Sequence, residues 1–242
     1  MRTGYRAFAE AREAFRERVA RWSSELPGLA KAQDELRRAL GYVDYRIETP
    51  IVYNEALDEV GPGSDVRFVL VGDNPGKNEQ RADRRRYLVG QSGKIAERVF
   101  RELLGVDFRS QVVIVNKTPI HTAKTAELRK LLALDGSAEL RAVFEESQRF
   151  MAALACDVAA AFDVPIWICG YGELGPKAIF SAWSEALKDR VSGGTTLDVW
   201  AFPHFSMNRF SIEAPPRFDP ALTALENLAI FGRRARRERL GW

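Results

Sequence analysis

The chain reads as an α/β protein: a three-layer α/β/α sandwich around a central, mostly four-stranded parallel sheet, with added helices at its amino end. Three observations predict this. Short apolar runs alternate with longer segments of helical periodicity from Val66 onward. Each stretch between runs is long enough for the crossover helix that parallel pairing demands. The runs are near-continuously apolar, as in strands covered on both faces.

Residues 5 to 40 show helical spacing and alternating charge, interrupted at Pro27-Gly28, and so predict two helices packed on the domain. We set this helical extension at 1–60 and the α/β domain at 61–242. Val66 to Val71 is a buried strand ending at Gly72. A loop runs to about Gln91. Ser92 then serves as N-cap of a helix through Leu104, with Gly105 where a helix-ending glycine belongs. The alternation continues with a strand at Val112–Val115, helices across about 125–134 and 138–162, a strand at Ile166–Cys169 and a helix from Pro176. A last strand, Leu197–Phe202, precedes a terminal helix started by Asp219-Pro220.

At 242 residues, 46% hydrophobic and 29% charged, the composition is that of an ordinary globular chain. No apolar run approaches the roughly 20 residues that span a bilayer, and the charged opening lacks a signal-peptide core, so the expectation is a cytoplasmic protein without a membrane partner. Cys156 and Cys169 lie in apolar segments and read as small buried hydrophobes. The net charge of +3 allows an anionic partner without requiring one. Two basic clusters stand out: Arg81, Arg84, Arg85 and Arg86, and the closing Arg233, Arg234, Arg236, Arg237 and Arg239. The second is open between a solvated helix end and a phosphate-binding surface.

Three strand exits carry the chemistry: Gly72-Asp73-Asn74-Pro75-Gly76, Asn116-Lys117-Thr118-Pro119 and Pro203-His204-Phe205-Ser206. The carboxyl ends of parallel strands form the ligand crevice, so an acid, an amide and an imidazole far apart in sequence can face one polar planar molecule. Two other motifs are set aside. Gly90 to Lys94 is too short for a phosphate loop and has Ile95 where a magnesium-holding hydroxyl is required. Gly170-Tyr171-Gly172-Glu173-Leu174-Gly175 fits a dinucleotide turn but is not in the first βαβ unit and lacks the acid at the end of the following strand. With only His121 and His204 available, no multi-histidine metal site is expected.

Gly72-Asp73-Asn74-Pro75-Gly76-Lys77-Asn78-Glu79 resembles the first motif of the uracil-DNA glycosylase superfamily, GEAPGxxE in one branch and GINPG or GMNPG in others. Tyr87 to Gly93 is similar to PFVGxxG, Val113 to Asn116 to the strand ending in a base-reading asparagine, and Pro203 to Asn208 to the HPSPLS or HPSPRN loop. The resemblance covers about residues 65–232. It implies a uracil-DNA glycosylase-like fold and hydrolysis of the N-glycosidic bond of uracil or a related base in DNA. In that reading Asp73 is the catalytic carboxylate, Asn74 orients water, Asn116 reads the base, and His204 stabilises the departing base. Tyr87, Leu88, Gly72 and Gly76 form the base pocket. Ser206, Asn208, Arg209, Arg84, Arg85 and Arg86 contact single- or double-stranded DNA with the base flipped out.

The chain also departs from that pattern. The four cysteines of the iron–sulfur branch are absent, so neither cluster nor other cofactor is expected. Leu88 replaces a stacking phenylalanine, leaving Tyr87 or Phe205 as the only aromatic platforms, and Gly76 stands where one branch uses a tyrosine. Phe205 and Met207 replace both prolines of the last loop. A non-catalytic nucleic-acid- or nucleotide-binding relative of the same fold is therefore the alternative.

The chemistry suits these residues. Cleaving an N-glycosidic bond leaves positive charge on the sugar and negative charge on the base, which an acid and an imidazole donor steady; one such donor is worth about 3 kcal/mol. One amide presents a donor and an acceptor that match N3–H and O4 of uracil and mismatch cytosine.

Overall fold

The computed structural model describes residues 2–194 and 196–242. Four strands, β1 (Phe68–Gly72), β2 (Val112–Asn116), β3 (Ile166–Cys169) and β4 (Val199–Phe202), pair in the order β2-β1-β3-β4, all parallel. Every residue of each strand is buried. Side chains alternate between two apolar layers. Val69, Val71, Val113, Val115, Ile166 and Ile168 face one; Phe68, Leu70, Ile114, Trp167, Cys169 and Phe202 face the other.

The helices divide by the direction in which the chain steps across the sheet. From β1 to β2 it moves one way through α3 (Gln91–Leu104). From β2 through β3 to β4 it moves the other way through α4 (Glu127–Asp135), α5 (Ala138–Phe162) and α6 (Ser181–Ser192). A right-handed crossover that reverses direction must change faces. Accordingly α5 and α6 belong to the first layer, while α3 and α8 (Ala224–Leu240) cover the second with Leu228 and Phe100. The short α7 (Arg209–Glu213) follows β4.

The amino-terminal α1 (Arg2–Glu25) lies along α5, and α2 (Leu29–Ala39) packs on α4. Phe8, Phe15 and Trp22 recur at seven-residue spacing and are fully buried in the same cluster that holds Val69 and Ile168. One core thus runs unbroken from α1 into the sheet. Trp22 Nε1 donates to Glu146 Oε2 at 3.1 Å, and Arg18 and Arg21 pair with the same carboxylate, fixing α1 to α5 at its far end.

Several boundaries differ from the sequence expectation, each for a local reason. The first strand begins at Phe68 rather than Val66, and the last at Val199 rather than Leu197. Helix α3 starts at Gln91 with Gly90 as a cap that makes no side-chain bond, so Ser92 is inside the helix. Pro176 falls in a series of tight turns, and α6 starts at Ser181. Asp219 does not start the last helix: its backbone exchanges bonds with the Asn227 amide, and Thr223 with Glu226 forms the capping box that opens α8.

Candidate functional site

The reversal of direction falls between β1 and β3, the switch point at which open parallel sheets leave a crevice beyond the carboxyl ends of the strands. The last register across the sheet pairs Gly72 with Asn116 and Cys169 with Phe202. Gly72 follows Val71, whose partner is Ile168, so Cys169 continues the register on the other side of Gly72. Asn116 and Cys169 stand two strand spacings apart, about 10 Å, with a residue lacking a side chain between them. The Asn116 amide occupies that gap: a Cβ on Gly72 would lie 2.5 Å from Asn116 Oδ1. Asn116 is 1% exposed, and its Nδ2 is buried with no hydrogen-bond partner among the described residues.

One residue later, alternation turns the side chains to the opposite face, where Asp73 meets Lys117. The Lys117 ammonium is completely buried. It donates to Asp73 Oδ1 at 2.5 Å and to the carbonyls of Cys169 and Gly170 at 3.0 and 3.2 Å. It also lies over the rings of Phe180 and Trp183, at 5.5 and 5.9 Å. Asp73 Oδ2 accepts from Thr125 Oγ1 at 3.0 Å. The carboxylate is thus held from two sides, its side chain 18% exposed.

His204 comes in over Gly170. A Cβ at Gly170 would lie 3.2 Å from His204 Cδ2 and 3.6 Å from Asp73 Oδ1, and its φ of +82° is one that only glycine adopts freely. His204 Nδ1 receives the backbone N–H of Ser206 at 3.0 Å, with Ser206 Oγ at 2.8 Å. An N–H can only donate, so Nδ1 holds a lone pair and the ring proton is on Nε2. Cys169 and the Asp73 carboxylate push the imidazole upward, while burial and Lys117 oppose this. The Ser206 N–H resists a second proton at Nδ1.

Asp73 and His204 approach each other over Gly170, and the Asn116 amide lies against Gly72, all at the carboxyl ends of the strands. Asn74 turns away into the neighbouring loop, its Nδ2 donating to Thr122 Oγ1 and Thr122 O at 3.0 and 3.2 Å. Gly76 donates its N–H to Glu79 Oε2 at 3.1 Å. Tyr87 is fully buried, its hydroxyl donating to Val52 O at 2.6 Å, so it presents no ring to the crevice. Leu88 is 7% exposed, in a left-handed backbone with φ 53°, and Phe205 is buried beneath the His204 loop, stacked towards Trp167. Ser206 supports His204. Asn208 takes a left-handed φ of 55° immediately before α7, and Arg209 pairs with Glu213. In the first basic run, Arg81, Arg85 and Arg86 are ion-paired with Asp83, Glu55 and Glu59; Arg84 alone has no carboxylate partner among the described residues.

His121 is buried, its Nδ1 on Pro75 O at 2.8 Å; burial lowers it to about 4, so it is a neutral strut for the first motif. Sequence reasoning assigned no role to Lys117, Thr125, Cys169 or Gly170. The signal for Lys117 was its place immediately after Asn116, on the opposite face of a strand beside the one that ends in Asp73.

Glu79 ties the site loops together. Its buried carboxyl accepts the Gly76 N–H, and Leu88 and Val89 backbone bonds also favour its charge, but burial dominates and raises it from 4.5 to about 7. A carboxyl raised in the folded state stabilises fully below the unfolded value and loses that contribution as pH climbs through the folded one. Going from pH 4 to pH 8, Glu79 is expected to withdraw about 3 kcal/mol of stability. Glu79→Gln lacks this titration. The difference in unfolding free energy between wild type and variant should therefore shift in favour of the variant across pH 4.5–7; a pH-independent difference would show that the group is not raised.

A cavity of about 560 Å³ lies at the other end of the sheet, between Phe68, Trp200 and α8. Its charged Asp198 and Arg233 satisfy each other. The gathering of polar side chains at the strand ends, rather than volume, singles out the switch point. Fold and site together define an open parallel α/β protein with an acid–lysine pair, an amide and an imidazole at that point. No protein-family model and no curated protein matches the chain.

Proposed function

We propose that the chain is a DNA glycosylase-like protein that takes a flipped-out base, uracil or a close relative, into the switch-point crevice and hydrolyses its N-glycosidic bond. The observation that carries this reading is Asn116 Nδ2, a buried donor with nothing to donate to. Such an orphan costs about 1–3 kcal/mol. A planar ligand offering a carbonyl edge removes that cost, and a base presenting a donor there leaves it in place. The chemistry around it is consistent: His204 Nε2–H can stabilise charge arriving on the leaving base, and the Asp73 carboxylate can steady positive charge on the sugar.

The test uses oligonucleotides containing uracil, hypoxanthine or xanthine, in single and double strands. Wild type should leave alkali-labile abasic sites. His204→Ala should lower the rate about 10²-fold or more, and Asn116→Ala should abolish discrimination against cytosine. Base release that persists unaltered in both variants would refute the assignment.

A second reading, a relative that binds bases without cleaving them, is favoured by the double engagement of Asp73 by Lys117 and Thr125. Those bonds leave the carboxylate less free to take a proton from water. Binding without release at high protein excess would select that reading.

A further inference from the structure

Both basic clusters of the chain are partly neutralised, the closing one through Arg233 with Asp198 and Arg234 with Glu238. Arg81, Arg85 and Arg86 are spent on carboxylates. At the carboxyl end of α8 a cleft of about 80 Å³ is lined by Tyr171, Arg217, Phe231, Arg234, Glu238 and Arg239. Arg217 comes from the turn Pro215–Arg217 and Arg239 from the last turn of α8. Neither has a carboxylate within 4.0 Å among the described residues. Their guanidinium groups rest on aromatic rings instead, Arg217 over Phe231 at 5.9 Å and Arg239 over Tyr171 at 5.4 Å. Glu238, bonded to Arg234 at 2.6 Å, is the one carboxylate in the lining.

A preference of cations for a helix carboxyl terminus explains Arg239. It does not explain Arg217, which arrives from another element and lies across the same cleft. The cleft also joins the site. Tyr171 follows Gly170, where His204 and Asp73 approach each other, and its hydroxyl bonds Glu213 at 3.3 Å, anchoring the α7 segment that continues the His204 loop. Exposed arginines over aromatic rings, near Glu238 but in no ion pair within 4.0 Å among the described residues, suit phosphate oxygens.

We propose that this cleft, rather than the Arg81–Arg86 run, tracks the phosphate backbone of a nucleic-acid strand whose base enters the switch-point site. The proposal rests on the preceding functional reading for its ligand class, and its test is separable from that reading. Binding of a fluorescein-labelled 20-nucleotide single strand, with and without one uracil, is followed by anisotropy between 50 and 200 mM salt. Arg217→Ala/Arg239→Ala is compared with Arg6→Ala/Lys31→Ala, which removes the same charge from the surface of α1 and α2. Both pairs are exposed, and thermal melts verify folding.

Wild type and the α1–α2 variant should bind with a steep salt dependence. The cleft variant should bind about tenfold more weakly at 50 mM, with the slope of log K against log salt reduced by about 1.4 for two lost phosphate contacts. Equal losses in the two variants, unchanged binding in the cleft variant, or no salt-dependent binding by wild type would each overturn it. Salt-dependent binding through the cleft without base release would sink the catalytic reading and keep the cleft; base release with an unaltered cleft variant would do the reverse.

Discussion

Asp73→Ala is expected to cost about 3–5 kcal/mol of folding stability, whatever it does to activity. The substitution removes the only carboxylate paired with Lys117 among the described residues, and the ammonium it abandons has no exposure to water. Breaking a buried pair from one side leaves an uncompensated charge in a medium that solvates it poorly. The Cys169 and Gly170 carbonyls and the rings of Phe180 and Trp183 soften the loss without neutralising the charge. Removing both charges together, as Asp73→Ala/Lys117→Met, should recover most of the stability. Denaturant unfolding of the two single variants, the double variant and wild type completes a cycle whose coupling energy should exceed about 2 kcal/mol. An additive cycle would mean that Asp73 and Lys117 are not partners. The result bears on function, because a carboxylate present only for chemistry leaves stability unharmed when deleted. Loss of activity in Asp73→Ala alone is therefore weak evidence of catalysis; Asp73→Asn, which keeps a hydrogen-bonding oxygen, is the better probe.

The sheet, its parallel sense and the order of strands and helices along the chain were legible in the sequence. Each strand is buried on both faces and therefore reads as an apolar run. Boundaries were less legible wherever a competing local bond won, as when Asn227 took the Asp219 backbone and left the helix start to Thr223. Of the candidate site, the residues at strand exits were recoverable, because a polar residue at the end of an apolar run is conspicuous. What each touches was not. Tyr87 resembles a platform in sequence, but a hydroxyl that reaches Val52 O can satisfy itself inside the core. Asn74 sits beside Asp73 in the chain, yet consecutive residues project differently and Thr122 claims it. Lys117 was hidden because a lysine beside an asparagine looks like loop polarity until the register shows Asp73 opposite.

Gly93→Ala is the second large effect, expected to destabilise by about 3 kcal/mol and to lower the melting temperature by about 6–12 °C. Gly93 is in the first turn of α3, and a methyl group there would sit 1.6 Å from Leu88 O and 2.4 Å from Leu88 C. The obstacle is backbone, so no rotamer change relieves it. Leu88 cannot easily retreat: it already carries a left-handed φ of 53°, and its carbonyl accepts from Arg109 Nη2 at 2.8 Å. The strain is expected to spread to the Tyr87–Gly90 loop, so hydrogen exchange should rise there before it rises in β1. A melting temperature within about 1 °C of wild type would show that the helix start simply slides away. A milder counterpart is predicted from the same geometry at Gly72, where the obstructing atom belongs to the Asn116 side chain.

The placement of β1 between β2 and β3 also dictates how the polypeptide must mature. The first strand to leave the ribosome finds its two flanking partners only after about 40 and about 95 more residues have followed. Until β2 arrives both of its edges are bare, and the Asp73 that follows it has no Lys117 to pair with. Chain segments that emerge early, α1 and α2, cannot settle either, since α1 docks on α5. Assembly is therefore late and concerted, and truncations that stop before Cys169 should yield collapsed, protease-sensitive chains rather than a smaller native unit.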